Sequence, residues 1–213
     1  MPRKLPRLDV TLGKQVTAAL SLVSRLEVAR ISSNRDETNK ISLMDVEFAY
    51  EIAYLRVFLA WEVFLEEALL RFMCGYKYAN GQEPLRHGVN YFRRIADAEA
   101  YIRGSNRYVL WHNPDTVINR ASEFFNNSNY EQVIASDQQR LKHLANIRHR
   151  IAHAQKDAAY KFNITTMAIS GKRYRASRPG RFLRDWQYGS NPPRRWIGAI
   201  FRDLEALAQQ ICL

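Results

Sequence analysis

The chain predicts a mainly α fold: an up-and-down helical bundle with one small β-hairpin near the C-terminal helix. Three observations carry this. Apolar residues recur at steps of three and four over long stretches. The breaks between those stretches hold helix-capping and helix-stopping residues. Only one short stretch, Ile164 to Ile169, is β-branched and followed by a turn.

The elements follow in order. Residues 1–8, Met1-Pro2-Arg3-Lys4-Leu5-Pro6-Arg7-Leu8, read as a basic arm. Residues 9–213 read as a single helical domain, with 164–193 as a hairpin and basic loop inserted in it. Val16, Leu20, Val23 and Leu26 give helical spacing to residues 9–31. Residues 32–40 form a polar connection. A long helix over 42–74 carries Val46, Tyr50, Ala53, Val57, Trp61, Phe64, Ala68 and Phe72 on one stripe, as the spine of a bundle would. Gly75 and Asn80-Gly81 end it. A loop spans 76–89. A helix over 89–102 is stopped by Gly104-Ser105-Asn106. Asn113-Pro114 supplies an N-cap and a proline at the first helical position for a short helix to Phe125. Asn126 to Asn129 is a break. Ser136 with Gln139 reads as a capping box opening the next helix. Ile164 to Ile169, the turn Ser170-Gly171-Lys172 and Arg173 to Arg175 predict the hairpin. Pro179-Gly180 and Asn191-Pro192-Pro193 punctuate a loop. A last helix over 194–211 places Trp196, Ile200, Leu204, Leu207 and Ile211 on one face.

Composition narrows the function. With 213 residues, 46% hydrophobic and 12% aromatic, the chain can bury a substantial core. Its formal net charge of +11 favours a polyanionic partner, nucleic acid before an anionic membrane surface. The two cysteines, Cys74 and Cys212, lie far apart inside apolar helical patterns. They read as buried thiols in a reducing compartment, and they exclude a cysteine-cluster metal site. The basic N-terminus leads into no long apolar run, so neither a signal peptide nor a membrane span is expected, and the cytoplasm is the expected location.

The most informative run is Arg148-His149-Arg150-Ile151-Ala152-His153. An arginine offers a planar, permanently charged fork that matches a phosphate. A histidine exchanges protons near neutral pH. On an ideal helix Leu144, Ile147, Ile151 and Ala154 share one face, while Asn146, His149 and His153 share another. Arg148 and His153 would stand about 140° apart. They could meet on one phosphate only if the helix loosens between them, or if two copies of the helix face each other across a dimer axis. The dimer is the favoured reading. The bland alternatives are solvated or internally satisfied histidines, which is how His87, His112 and His143 are read. The His149/His153 pair has zinc-compatible spacing but no evident third ligand.

The same run resembles the R-x4–6-H motif of the HEPN superfamily, in which a polar residue follows the arginine. The long helices implied by 42–74 and 136–156, and the segment Leu59-Ala60-Trp61-Glu62-Val63-Phe64-Leu65-Glu66-Glu67, are similar to the HEPN bundle. Arg178-Pro179-Gly180-Arg181-Phe182-Leu183 is similar to the RiboL-PSP-HEPN branch. The resemblance implies an endoribonuclease that needs no metal or other cofactor. The ribose 2′-hydroxyl would attack the adjacent phosphate and leave 2′,3′-cyclic phosphate and 5′-hydroxyl ends. It implies that Arg148 holds the phosphate, that His153 is the general acid or base, and that His149, where asparagine is frequent, orients the phosphate or a proton carrier. It also implies a role as a toxin or phage-defence effector with an antitoxin or defence-system partner, while the homodimer with a composite site is the expectation from the helix geometry above. Gln155 stands where many HEPN toxins paired with a nucleotidyltransferase antitoxin carry tyrosine, so the resemblance does not extend to that pairing.

Residues 171–195 hold eight cations (Lys172, Arg173, Arg175, Arg178, Arg181, Arg184, Arg194, Arg195) against Asp185 alone. Tyr174, Phe182, Trp186 and Tyr188 are interleaved, with Trp196 just beyond as a core residue. Arginine forks bind phosphates and aromatic faces stack on unpaired bases, so this segment reads as an RNA-positioning platform. Asn146 and Arg150 are added to it from the motif helix. The competing readings are a basic loop whose aromatics pack inward, a non-catalytic RNA-binding or sensor module, and an assembly subunit of a defence complex.

Overall fold

The computed structural model describes residues 3–33, 40–88, 91–104 and 109–213. The chain is mainly α. Among the described residues the helices are α1 (Leu8–Ser33), α2 (Leu43–Met73), α3 (Ile95–Arg103), α4 (Pro114–Ser122), α5 (Asn129–Ser136), α6 (Gln138–Ala152), α7 (Lys156–Ser170), α8 (Pro179–Arg184) and α9 (Trp196–Cys212), with a 3-10 turn at Arg175–Ser177. Most of the polar connection (34–39), the start of the expected third helix at Val89, Ser105-Asn106 of its stop, and Met1-Pro2 of the arm lie outside the described residues. No helix among the described residues is long and apolar enough to cross a membrane.

The chain divides into two compact units. The first comprises residues 1–12, 60–142 and 205–213. Its core is aromatic: Trp61 stacks on Phe64, and Phe72 meets Tyr78 and Tyr130. The buried Tyr130 hydroxyl donates to the Leu65 carbonyl at 3.0 Å, which satisfies a polar group that would otherwise be costly in an apolar interior. Asn113 caps α4 by accepting from the Asp115 N–H, with Pro114 at the first position. The capping box is Ser128/Glu131, opening α5, and not Ser136/Gln139. Ser136 is the last residue of α5, and its hydroxyl donates to the Val133 carbonyl. Arg3 to Leu5 are not a free arm. The Lys77 N–H donates to the Arg3 carbonyl, the Leu5 N–H donates to the Lys77 carbonyl, and the Leu5 side chain is buried. Cys74 is half-buried and Cys212 buried, and both are free thiols.

The second unit comprises residues 13–59 and 143–204. Tyr54 stacks on Phe58 and Phe201 while its hydroxyl donates to the Leu144 carbonyl at 2.8 Å. Phe182 is fully buried between Phe162, Tyr174 and Trp196, which ties α7, the 171–178 segment and the start of α9 into one core.

The expected β-hairpin is absent. Residues 164–170 continue α7, and among the described residues β pairing is confined to isolated bridges. The physical reason lies in two threonines. Phe162, Thr165 and Thr166 form the buried stripe of α7 at helical spacing, with both threonines 0% exposed. Their hydroxyls are satisfied: Thr165 bonds His143 and Asn146, and Thr166 donates to the Asn163 carbonyl. Gly171, at φ +67°, ends the helix in the left-handed region. The turn read at Ser170 to Lys172 is thus a helix stop.

Candidate functional site

The expected motif helix is shorter at its end than its spacing suggests. In α6, Leu141, Leu144 and Ile147 are buried, but Ile151 is only half-buried and Ala154 is exposed. The helix stops at Ala152, and α7 begins at Lys156. His153 therefore lies one residue beyond the helix and is not bound to the ~100° step that would hold it away from Arg148. Its ring meets that of His149 at 4.6 Å between centroids. Burial, then the charge of His153, lower the His149 pKa below the ordinary histidine range.

Arg150 explains how the corner after α6 is held. Its Nε donates to the Ser177 carbonyl and its Nη1 to the His153 carbonyl, each at 3.1 Å. The guanidinium thus spans two backbone acceptors from different segments, a role that suits its planar fork. Expected as an RNA contact, it is occupied in fixing the backbone of His153. Asn146 is likewise occupied, donating to the Thr165 hydroxyl at 3.1 Å.

Two concavities open on this unit. The first, of about 440 Å³, is lined by Met44, Glu47, Phe48, Glu51, Arg150 to Ala154, and Ala176 to Pro179. His153 is in this lining. The second, of about 810 Å³, is lined by Lys172, Arg173, Arg175, Arg178, Arg181, Arg184 and Arg195, with Leu43, Glu47, Tyr174, Asp185 and Trp186. All six residues expected from the 171–195 segment as RNA contacts meet in this one groove. Glu47 and Arg178 line both concavities. Arg148 and His149 line neither.

The groove cations are of two kinds. Arg173, Arg175 and Arg181 are exposed and make no ion pair with a described residue. Arg178 is ion-paired to the buried Glu47. Arg184 grips Glu27 with two bonds, Nε to Oε1 at 2.7 Å and Nη2 to Oε2 at 3.1 Å. Arg195 adds a 3.3 Å pair to the same carboxylate and lies 4.6 Å over the Trp186 ring. Burial alone would raise Glu27, but the bond from Arg184, the charges of Arg195 and Arg184, and the Tyr50 hydroxyl outweigh it and hold it below the ordinary carboxylate range. Lys172 reaches Asp185 at 3.5 Å, and the Tyr174 hydroxyl donates to Asp185 at 2.8 Å. Tyr174 and Phe182 pack inward, as does Trp196, whereas Trp186 is exposed and Tyr188 is 97% exposed.

No family model, curated protein or solved structure matches this chain.

Two features escaped the sequence reading. The carboxylates Glu47 and Glu51 enter the His153 concavity from α2, a helix read only as a core spine. Gly180 has no Cβ because the backbone of α2 passes too close: a Cβ there would stand 2.2 Å from the Glu47 carbonyl oxygen. The same approach lets the Gly180 N–H donate to Glu51 Oε1 at 2.8 Å. The one available signal was Glu47 and Glu51 four apart on one helix side. It resembles any solvated helix face until the partner segment is placed.

Proposed function

We propose that this chain is a metal-independent endoribonuclease of HEPN type, cleaving RNA by 2′-hydroxyl attack to cyclic-phosphate and 5′-hydroxyl ends. The observation that carries the reading is the groove gathering Lys172, Arg173, Arg175, Arg178, Arg181 and Arg184, which shares Glu47 and Arg178 with the concavity that holds His153. A strand whose phosphates follow the groove reaches the imidazole. Exposed Trp186 and Tyr188 offer faces on which unpaired bases stack. His153 serves as general base, and Arg148 and His149 hold and orient the phosphate. The end of α6 before His153 supports a site that forms by release from helical register. A homodimer with a composite site is supported by Met44, Phe48 (62% exposed) and Ile52, an apolar stripe on α2 whose first two residues border the His153 concavity. In the cell the reading is a cytoplasmic toxin or phage-defence effector, held in check or switched on by a partner protein.

A second reading, an RNA-binding or sensor module without catalysis, is favoured by one observation. Arg148 and His149 lie outside both concavities.

The deciding experiment is cleavage of a mixed RNA pool in EDTA by wild type, His153→Ala and Arg148→Ala, with the product ends identified. Loss of a single proton carrier lowers the rate by about 100- to 10,000-fold. Cyclic-phosphate ends from wild type, lost in His153→Ala with RNA binding retained, support the nuclease. Intact RNA with salt-sensitive binding supports the sensor.

A further inference from the structure

Cyclising cleavage needs two proton carriers. One takes the 2′-hydroxyl proton and one protonates the departing 5′-oxygen. The set of side chains around His153 holds a candidate for the second. Among the described residues, five ionisable groups line the 440 Å³ concavity: Glu47, Glu51, Arg150, His153 and Arg178. Three are already committed. Arg150 holds two backbone carbonyls, and Arg178 and Glu47 hold each other. Glu51 and His153 remain.

Resting on the ribonuclease reading above, we infer that Glu51 is the general acid of the site, facing the phosphate from α2 while His153 acts as base. In the step, O2′ bonds to phosphorus as its proton passes to the His153 imidazole. The P–O5′ bond breaks as the Glu51 carboxyl proton passes to O5′. Glu51 is left as carboxylate and His153 as imidazolium, and exchange with water resets both. One chain then supplies both carriers, without a histidine from a second copy.

Electrostatics favours this division of labour. An ionised carboxylate in the concavity would repel a phosphodiester, whereas a protonated one donates to it. Every group facing Glu51 bears on which form is present. Burial raises its proton affinity, and Glu47 one turn earlier on α2 raises it further. The Gly180 N–H, Arg150 and Arg178 oppose this, and the net shift is upward. The 2.8 Å bond from Gly180 occupies Oε1 and so leaves Oε2 to carry the proton.

The test uses an RNA oligonucleotide and its 5′-bridging phosphorothiolate analogue, whose thiolate leaves without a proton. Wild type and Glu51→Gln are assayed from acid to alkaline pH in EDTA, with a 2′-O-methyl oligonucleotide to measure binding. The expected result is a loss of about 100-fold or more in kcat for Glu51→Gln on the oxygen substrate, with Kd unchanged. The analogue should restore the variant to near the wild-type rate. In wild type alone, the alkaline fall in rate should vanish on the analogue, a readout that requires no variant to fold. Equal rates for wild type and Glu51→Gln, or a slow variant that the analogue does not rescue, would overturn the role of Glu51 and leave the nuclease standing. No cleavage of either substrate by wild type would overturn the nuclease reading, and the Glu51 role with it.

Discussion

The arginines of the groove and those that frame it are the same side chain under two regimes. Arg173, Arg175 and Arg181 project into solvent with no ionic partner among the described residues. Arg178, Arg184 and Arg195 spend their charge on Glu47 and Glu27. The first set is available to a phosphate, and the second holds the wall from which the first projects. A count of cations in 171–195 weighs all of them equally. The structure separates exposed charge from ion-paired charge by the carboxylates that α1 and α2 bring.

The largest break in this comparison is Glu27→Gln. It leaves Arg184 and Arg195 without their shared carboxylate and should cost about 1.5–3 kcal/mol by urea unfolding, the range for a hydrogen bond to a charged group. The sign with pH is fixed. Glu27 is held below the ordinary carboxylate range, so its contribution is full above that range and is lost as acid titrates it through the lowered value. Wild type and variant should converge in acid. Glu51 has the opposite sign: its raised affinity favours the folded state below the ordinary range, and that contribution fades as pH rises through the raised value. Glu51→Gln should therefore melt no lower than wild type at neutral pH.

Next is Gly180→Ala. The added methyl meets the Glu47 carbonyl, so α8 must shift away from α2. A loss of about 1–3 kcal/mol is expected from overpacking, seen as a lowered Tm, together with weakened RNA binding as the wall moves. The smallest effect on stability, and the sharpest on binding, belongs to the triple variant Arg173→Ala/Arg175→Ala/Arg181→Ala. Stability should stay within about 0.5 kcal/mol of wild type. The slope of log binding constant against log salt should fall by about 2, at ~0.7 per phosphate contact on single strands. An unchanged slope would show that the exposed set is solvated surface.

Much of the fold could be read from the chain because its long helices announce themselves twice, by period and by caps. The stripe from Val46 to Phe72 lies within α2, and Asn113-Pro114 opens α4 as its residues require. The hairpin is absent because the β-branched Thr165 and Thr166, which favour a strand, instead serve as helical core with their hydroxyls satisfied. The outward face of α7 compounds this: Tyr160 is 65% exposed, and Ile164 and Met167 are also exposed, so the apolar period points away from the buried stripe. In the site, the gathering of Lys172 to Arg184 was legible as local charge density. The occupation of Arg150 was not, because its acceptors are backbone carbonyls, which leave no mark on a sequence.

That occupation has a consequence for natural drift. A guanidinium can reach the Ser177 and His153 carbonyls together, whereas a lysine brings a single point of donation and must release one of them. Related chains should keep arginine at 150 and at 184, where a carboxylate is held by two parallel bonds, and should exchange arginine for lysine freely at 173, 175 and 181. The pattern of substitutions among relatives would then map the scaffold and the ligand face separately, even where the side chains look alike.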